Sequence, residues 1–463
     1  MKTKNDKVKL EIWNLKKVFQ QPLVIPDYQR IYCWDKDTLL QLLDDLLDRQ
    51  YLTSYRLGSV ILYKKGSDFE IVDGQQRLVS LTLLLFALGY NSNLPLLNAK
   101  FDNIKSQKFV SYNYNCIQTY IQNQNRLDAK LKREEWISKL LSQVEFSVLI
   151  ITSNNLDLAF TFFSNTNSRG VPLSDFDLLK AHHLRFLPNK SQQCHLAVRW
   201  NQMVLKADNS YNGELVEERG YYRTIAMYLY YLRRWLNKRP VREWEEYHVK
   251  KEFESALVID EIPPFGERFL YKEPIQGGSH FFAYVEHFVG RFEQFRHLPE
   301  YYYPGKFNKD SSGNQQLIEK PYGIHMLTGE SHEWFRNAIE ALLFAYYLKF
   351  GTEYISEALI LITRRISQYR FQQGRVYFDK FMDDSVGETE ITMLIDRATS
   401  PTFVLAELLK DVKRLAAVEF SDTSPIKERY ANKVEKCVQP IINKMSSPSV
   451  IDFFNGKFFK IKK

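Results

Sequence analysis

Cysteine is scarce. Four occur in 463 residues, at positions 33, 116, 194 and 437, far apart and with no CxxC pair. That spacing excludes a disulfide framework and a thiolate zinc site, and a reducing, cytoplasmic location is expected. Long apolar runs are lacking too. The longest, Leu78 to Leu88, falls well short of the roughly 20 residues that span a bilayer, so no membrane association is expected. The opening MKTKNDKVKLEIW has no apolar core of the kind a signal peptide needs. No GxxxxGK[ST] loop and no GxSxG elbow occurs, which excludes Walker-type NTPase and α/β-hydrolase chemistry. Internal repeats and low-complexity tracts are also absent.

Apolar residues make up 44% of the chain and charged residues 25%, the balance of a folded globular protein rather than a disordered one. Aromatics reach 14%, which suits a large helical core held by ring contacts. Net charge is +8, and its excess is uneven: residues 421–463 hold nine Lys/Arg against four Asp/Glu. A basic tail of this kind attracts polyanions such as nucleic acid, and is equally an ordinary solvated end.

Periodicity predicts a short amphipathic helix over Glu11 to Gln20, then an extended stretch, VIPDYQRIYCW. A helix follows over Asp37 to Gln50, with leucines at helical spacing and Asp37 as its cap. RLGSVILYK and FEIVDG read as a hairpin, and VEFSVLIIT, near 144–152, as a buried strand. Helices are expected over Leu156 to Ser164, Leu173 to Leu187, Tyr221 to Asn237, His280 to Phe295, His332 to Phe350, Glu357 to Tyr369 and Thr402 to Ala416. The stretch 301–316 reads as a loop separating two helical parts. The expected fold class is α+β: a small N-terminal α/β unit followed by a large, mainly helical region.

Three motifs carry candidate chemistry. The first is strand–DGQQR–helix, Asp73 to Arg77. Amide groups at the helix start, near Gln75 and Gln76, can bind an anion. Gly74 permits close approach of backbone, and Arg77 offers a two-pronged phosphate donor. Asp73 can hold a metal ion, orient water or bond a ribose hydroxyl. The same residues also describe a plain capped helix with a solvated arginine. The second motif is IPDYQRIYCW, in which Arg30 lies among Tyr28, Tyr32 and Trp34, an arrangement suited to a phosphate or a stacked base, or to an edge strand with amphipathic rings. The third is FFSNTNSRGVPLSDFDLLKAHHL, residues 162–184. There Ser174 or Asp175 can cap a helix bearing Asp177 and Lys180, an i,i+3 pair, in what is otherwise an ordinary surface helix.

In this order the three motifs resemble the GmrSD-type restriction family, specifically its ParB/sulfiredoxin-like N-terminal domain with the DGQQR signature. PIQGGSHFFAYVEHF, 274–288, is similar to the helical part of such proteins. The resemblance implies nucleotide binding and hydrolysis in a DNA restriction or phage-defence system. It marks Asp73, Gly74, Gln75, Gln76 and Arg77 as the nucleotide site, with Tyr28 and Arg30 beside it and Asn167, Asp177 and Lys180 from the third motif. Asp73, Gln75 and Gln76 would be catalytic, acting on an NTP that arrives with Mg2+ held at Asp73. A regulatory subunit that senses DNA and binds nucleotide without hydrolysing it remains the alternative.

Many members of the family carry a C-terminal HNH-like nuclease, which needs a histidine base and metal ligands. Here none of the nine histidines lies in residues 333–463, and the adjacent His182 and His183 point about 100° apart on a helix, a poor shared metal site. A nuclease is therefore expected on a separate subunit, or to be absent. The expected division is 1–190 for the nucleotide-binding domain, 191–300 for a helical domain and 301–463 for a C-terminal helical domain with the basic tail. DNA is the expected second partner, contacted by Arg364, Arg365, Arg370 and Arg375, which alternate with Tyr369, Phe371, Tyr377 and Phe378.

Overall fold

The computed structural model describes residues 8–30, 32–48, 53–90, 94–99, 104–123, 130–152, 174–187, 189–206, 223–254, 269–309, 315–329, 332–415 and 425–444. The expected helix over Leu156 to Ser164 lies outside them. The chain divides into two compact units, Met1–Met203 with Gly277–Phe282, and Val204–Gln276 with Ala283–Lys463. The boundary expected near residue 300 falls inside the second unit.

The first unit is built on a five-stranded mixed sheet of order β1-β5-β3-β4-β2. Its strands are β1 (Val8–Asn14), β2 (Leu23–Val24), β3 (Tyr55–Lys65), β4 (Asp68–Asp73) and β5 (Val144–Ile151). β3 and β4 form the expected antiparallel hairpin, while β3 runs parallel to β5 and β2 parallel to β4. The helix expected over Glu11 to Gln20 is instead β1, antiparallel to β5, followed by a single short helix α1 (Leu15–Phe19). Asn14 makes the break: its Oδ1 accepts the Lys17 amide at 2.9 Å, capping α1.

Further helices are α2 (Lys36–Asp48), α3 (Gln75–Ala87), α4 (Ile104–Asn123), α5 (Lys130–Gln143), α6 (Asp175–Leu184) and α7 (Lys190–Lys206). Asp35, not Asp37, caps α2, accepting the Thr38 amide at 2.9 Å. Val60, Leu62 and Ile71 of the sheet share one core with Leu78, Leu81 and Leu84 of α3 and Trp136 and Leu140 of α5. Burial of this apolar surface is the main force holding α3 on the sheet, and it fixes the strand–turn–helix geometry at Asp73–Gln75.

The second unit is mainly helical. It contains α8 (Tyr230–Leu236), α9 (His248–Phe253), most of α10 (Ser279–Arg296), α11 (Glu333–Phe350), α12 (Ile355–Gln372), α13 (Ile391–Arg397), α14 (Pro401–Arg414) and α15 (Pro425–Ile442). α11 is buried continuously from Phe335 to Tyr347, as a central helix must be. Phe292 and Phe295 meet Phe344 of α11 at ring separations of 5.6 and 5.4 Å, which bears out the aromatic core. The stretch expected to be a loop holds a hairpin, Lys306–Lys309 with Gln315–Glu319, whose described side chains are almost all exposed. Among the described residues no helix is long and apolar enough to cross a membrane.

Candidate nucleotide site

β4 ends at Asp73, and α3 begins two residues later. Gly74 joins them with φ +97°, a conformation that side chains rarely adopt, and a Cβ there would come within 2.9 Å of Val60 Cγ2. No side chain caps α3. Its first-turn amides are therefore not satisfied by a capping side chain and carry the positive end of the helix dipole. Asp73 is half-buried. Burial pushes its carboxyl above the usual range, against the opposing pull of Arg77, the Gly74 amide and Arg30.

The five signature residues divide by what they touch. Arg77 Nη1 donates to the Leu57 carbonyl at 2.9 Å and Nη2 to the Ser59 carbonyl at 2.7 Å, with Asp73 Oδ2 at 3.6 Å. The β3–β5 register shifts between Arg56 and Ser59, a bulge that turns these carbonyls toward the guanidinium. Gly58, at φ +110°, makes room: a Cβ there would meet Arg77 Nη1 at 2.4 Å. The arginine expected to grip phosphate is thus engaged in clamping α3 to β3. Gln76 is likewise a staple, its Oε1 accepting the Cys33 amide at 3.0 Å. Gln75 differs. It is buried, and its Oε1 has no hydrogen-bond partner among the described residues. A buried acceptor left so is costly unless a ligand or water fills the need.

The Tyr28–Trp34 stretch is fastened to this site. Gln29 Nε2 donates to the carbonyls of Ile71 and Val72 on β4, at 2.8 and 2.6 Å. Tyr32 is buried, its hydroxyl 2.8 Å from Ser80 Oγ and 2.9 Å from Asn113 Nδ2. It packs inward rather than offering a stacking face. Tyr28 is also buried, and burial raises its phenol well above the usual range. Arg30 is half-buried, and its charge acts on both Asp73 and Cys33.

In α6, Ser174 and Asp177 form a capping box: the Asp177 carboxylate accepts Ser174 Oγ at 2.7 Å and the Ser174 amide at 3.2 Å. Lys180 is buried and donates to the Gln29 carbonyl at 2.9 Å and to Asn201 Oδ1 at 3.4 Å. Burial pushes its ammonium down to about 8, against Asp177 and Asp27, which favour the charge. Asn167 lies outside the described residues.

Sequence reasoning missed Gln29, Gly58, Asp27 and Asn201. Gly58 carried a signal, since a lone glycine inside a strand pattern marks a bulge. Gln29 carried none beyond its place between Tyr28 and Arg30. Among the described residues no group of three or more His, Cys, Asp or Glu converges as a metal site.

The arginines expected to meet DNA require correction. Arg364 and Arg370 are buried on α12, and Arg364 Nη1 donates to Gln368 Oε1 at 2.6 Å. Burial pulls Arg364 down to about 10. Arg365 is half-buried, and only Arg375 of the four is exposed, its guanidinium 5.1 Å from the Tyr377 ring centre. Phe371 packs on Tyr430 and Tyr369 on Phe381, so these rings belong to the core. α12 is buried on most of its circumference, which the interleaved pattern concealed.

Residues 12–184 match the model of the GmrSD restriction endonuclease, N-terminal domain. Residues 260–423 match a family of unknown function, DUF7834. No curated protein matches the chain.

Proposed function

Residues 12–184 match the N-terminal domain of the GmrSD restriction endonuclease, and from that premise we propose that the chain is a GmrSD-type restriction protein that binds a nucleoside triphosphate at the β4–α3 turn and hydrolyses it. The observation that carries this reading is the company Asp73 keeps. A half-buried carboxylate with a raised pKa sits at a strand end, in the field of Arg30 and beside an uncapped helix N-terminus. Perturbed carboxylates in such settings mark functional sites.

The phosphates would lie against the first turn of α3, with Arg30 supplying the charge-assisted contact. Asp73 would accept a proton from, or orient, the attacking water. Gln75 Oε1, buried and without a partner among the described residues, is suited to hold that water. Asp73 is also the carboxylate that would hold Mg2+, a cation commonly bound through one or two carboxylates together with phosphate oxygens. When bound, the ion supplies neutralisation of phosphate charge. Gln76, Arg77 and Lys180 do structural work around this centre.

The ion pair of Asp73 with Arg77 at 3.6 Å favours a second reading, binding without turnover, because a paired carboxylate is a weaker base. A panel of nucleotides, scored for both binding and phosphate release, separates the two. Release that depends on Asp73 supports hydrolysis; binding with no release supports a regulatory role; no binding refutes both. In either case the reading includes action with a nuclease outside these residues, resting on the histidine-free stretch 333–463. DNA contact remains part of the proposal through the basic tail and Arg375, not through Arg364 or Arg370.

A further inference from the structure

The five-stranded sheet of the first unit has two unequal edges. One is β2, only two residues long; the other is β1, Val8–Asn14. On its inner side β1 pairs with β5 in antiparallel register, and on its outer side no described strand pairs with it. The outward N–H and C=O groups of such an edge are a template for another strand. Proteins blunt exposed edges with brevity, proline or a bulge. β1 has none of these. It runs for seven residues without proline, and its register against β5 is unbroken, whereas β3 shifts register against both of its neighbours.

The side chains of this edge are complementary to themselves. Leu10 and Ile12 share one face and are 71% and 56% exposed. Lys9 and Glu11, exposed as well, alternate with them on the face that carries the buried Trp13. Laid antiparallel about Leu10, a second copy of the strand sets Leu10 against its own counterpart. Val8 then meets Ile12, and Lys9 meets Glu11, each pair occurring twice by the two-fold symmetry. Centring the pairing on Lys9 or on Glu11 would instead set that charge against its own copy. The alternation of charges therefore selects one register.

We propose that β1 is the interface of a two-fold homodimer, in which two copies of the chain join their sheets edge to edge. Backbone hydrogen bonds across the join supply attraction, as in other cases of strand addition. Val8, Leu10 and Ile12 with their counterparts form an apolar stripe over it, and the two Lys9–Glu11 crossings fix its register. An unrelated strand could satisfy the backbone, but the alternation of Lys9, Leu10, Glu11 and Ile12 answers to a second copy of itself. The inference is independent of the nucleotide reading, since it uses none of the residues around Asp73.

Sedimentation equilibrium of the full chain tests it. With rising concentration the mass of wild type should climb from 54.8 kDa toward twice that value. Lys9→Glu sets like charges against each other at both crossings and should weaken association by about tenfold or more. Glu11→Lys should do the same with the opposite sign. Mixed in equal amounts, the two variants regain opposite charges at both crossings and should form heterodimers with near wild-type affinity. Glu11 also accepts from Trp13 Nε1 and Lys17 Nζ, so the melting temperature of each variant is compared with that of dilute wild type. Hydrogen exchange of wild type supplies a measure that needs no variant: the amides of residues 8–12 should exchange more slowly as concentration rises. A wild type that stays monomeric with unchanged exchange would overturn the proposal. So would association that Lys9→Glu leaves untouched, or folded variants that do not associate on mixing.

Discussion

Lys180 Nζ donates to the backbone carbonyl of Gln29 at 2.9 Å, joining α6 to the stretch that carries Arg30. The contact is buried, and burial draws the ammonium down to about 8. In the unfolded chain the same group titrates near 10.4. Between these values the unfolded state binds more protons, so the native state gains stability as pH rises. The Lys180→Met variant lacks this term. Wild type should therefore gain stability relative to Lys180→Met between pH 8 and pH 10, by up to about 3 kcal/mol. Chemical denaturation of both proteins at the two pH values measures the difference. A gap that stays constant, or narrows in the opposite sense, would place Lys180 in a solvated setting.

Arg77 is expected to behave as a structural residue. Arg77→Ala leaves the Leu57 and Ser59 carbonyls without their donor and should cost about 2–4 kcal/mol. Arg77→Lys should rescue little, because an ammonium cannot reproduce the planar fork. Gly58→Ala should also destabilise, through both its φ of +110° and the approach to Arg77 Nη1. The two changes are coupled: in the Arg77→Ala background the steric part of the Gly58→Ala penalty disappears, leaving only the backbone part. Denaturation midpoints of the four proteins in the cycle check this, and strictly additive losses would contradict it.

Asp73→Asn should separate stability from activity. The raised carboxyl pKa means that the charged form is disfavoured by folding, with burial outweighing the attraction of Arg77 and Arg30. Removing the charge should raise the melting temperature at neutral pH while abolishing phosphate release, a trade common at functional sites. For the same reason wild-type stability relative to Asp73→Asn should fall as pH rises from below the unfolded carboxyl value through the native one. A variant that is both less stable and fully active would show that Asp73 merely braces the turn.

The sequence made part of this architecture legible. β3, β4 and α3 could be read because apolar alternation, a turn cluster and a leucine-rich helix follow one another without a break. β1 was not legible: Leu10 and Ile12 are exposed on an edge strand, and with the following Leu15 and Val18 they imitate a helical stripe. The hairpin at Lys306–Lys309 and Gln315–Glu319 was hidden because its described side chains are nearly all exposed, which removes the alternation that marks a half-buried strand. Within the site, Asp73 and Gly74 were legible as a strand end and a turn. The engagement of Gln76 and Arg77 was not, because it depends on where a bulge in β3 points its carbonyls.

The central claim is that triphosphate binds between the α3 terminus and Arg30. Calorimetric titration of wild type and Arg30→Ala with a nucleoside triphosphate in the presence of Mg2+ tests it most directly. Arg30 is half-buried, and thermal denaturation of both proteins first verifies that the variant folds. Loss of one charge-assisted contact should weaken binding by about ten- to hundredfold. Equal affinity in the two folded proteins, or no triphosphate binding by wild type, would contradict the account.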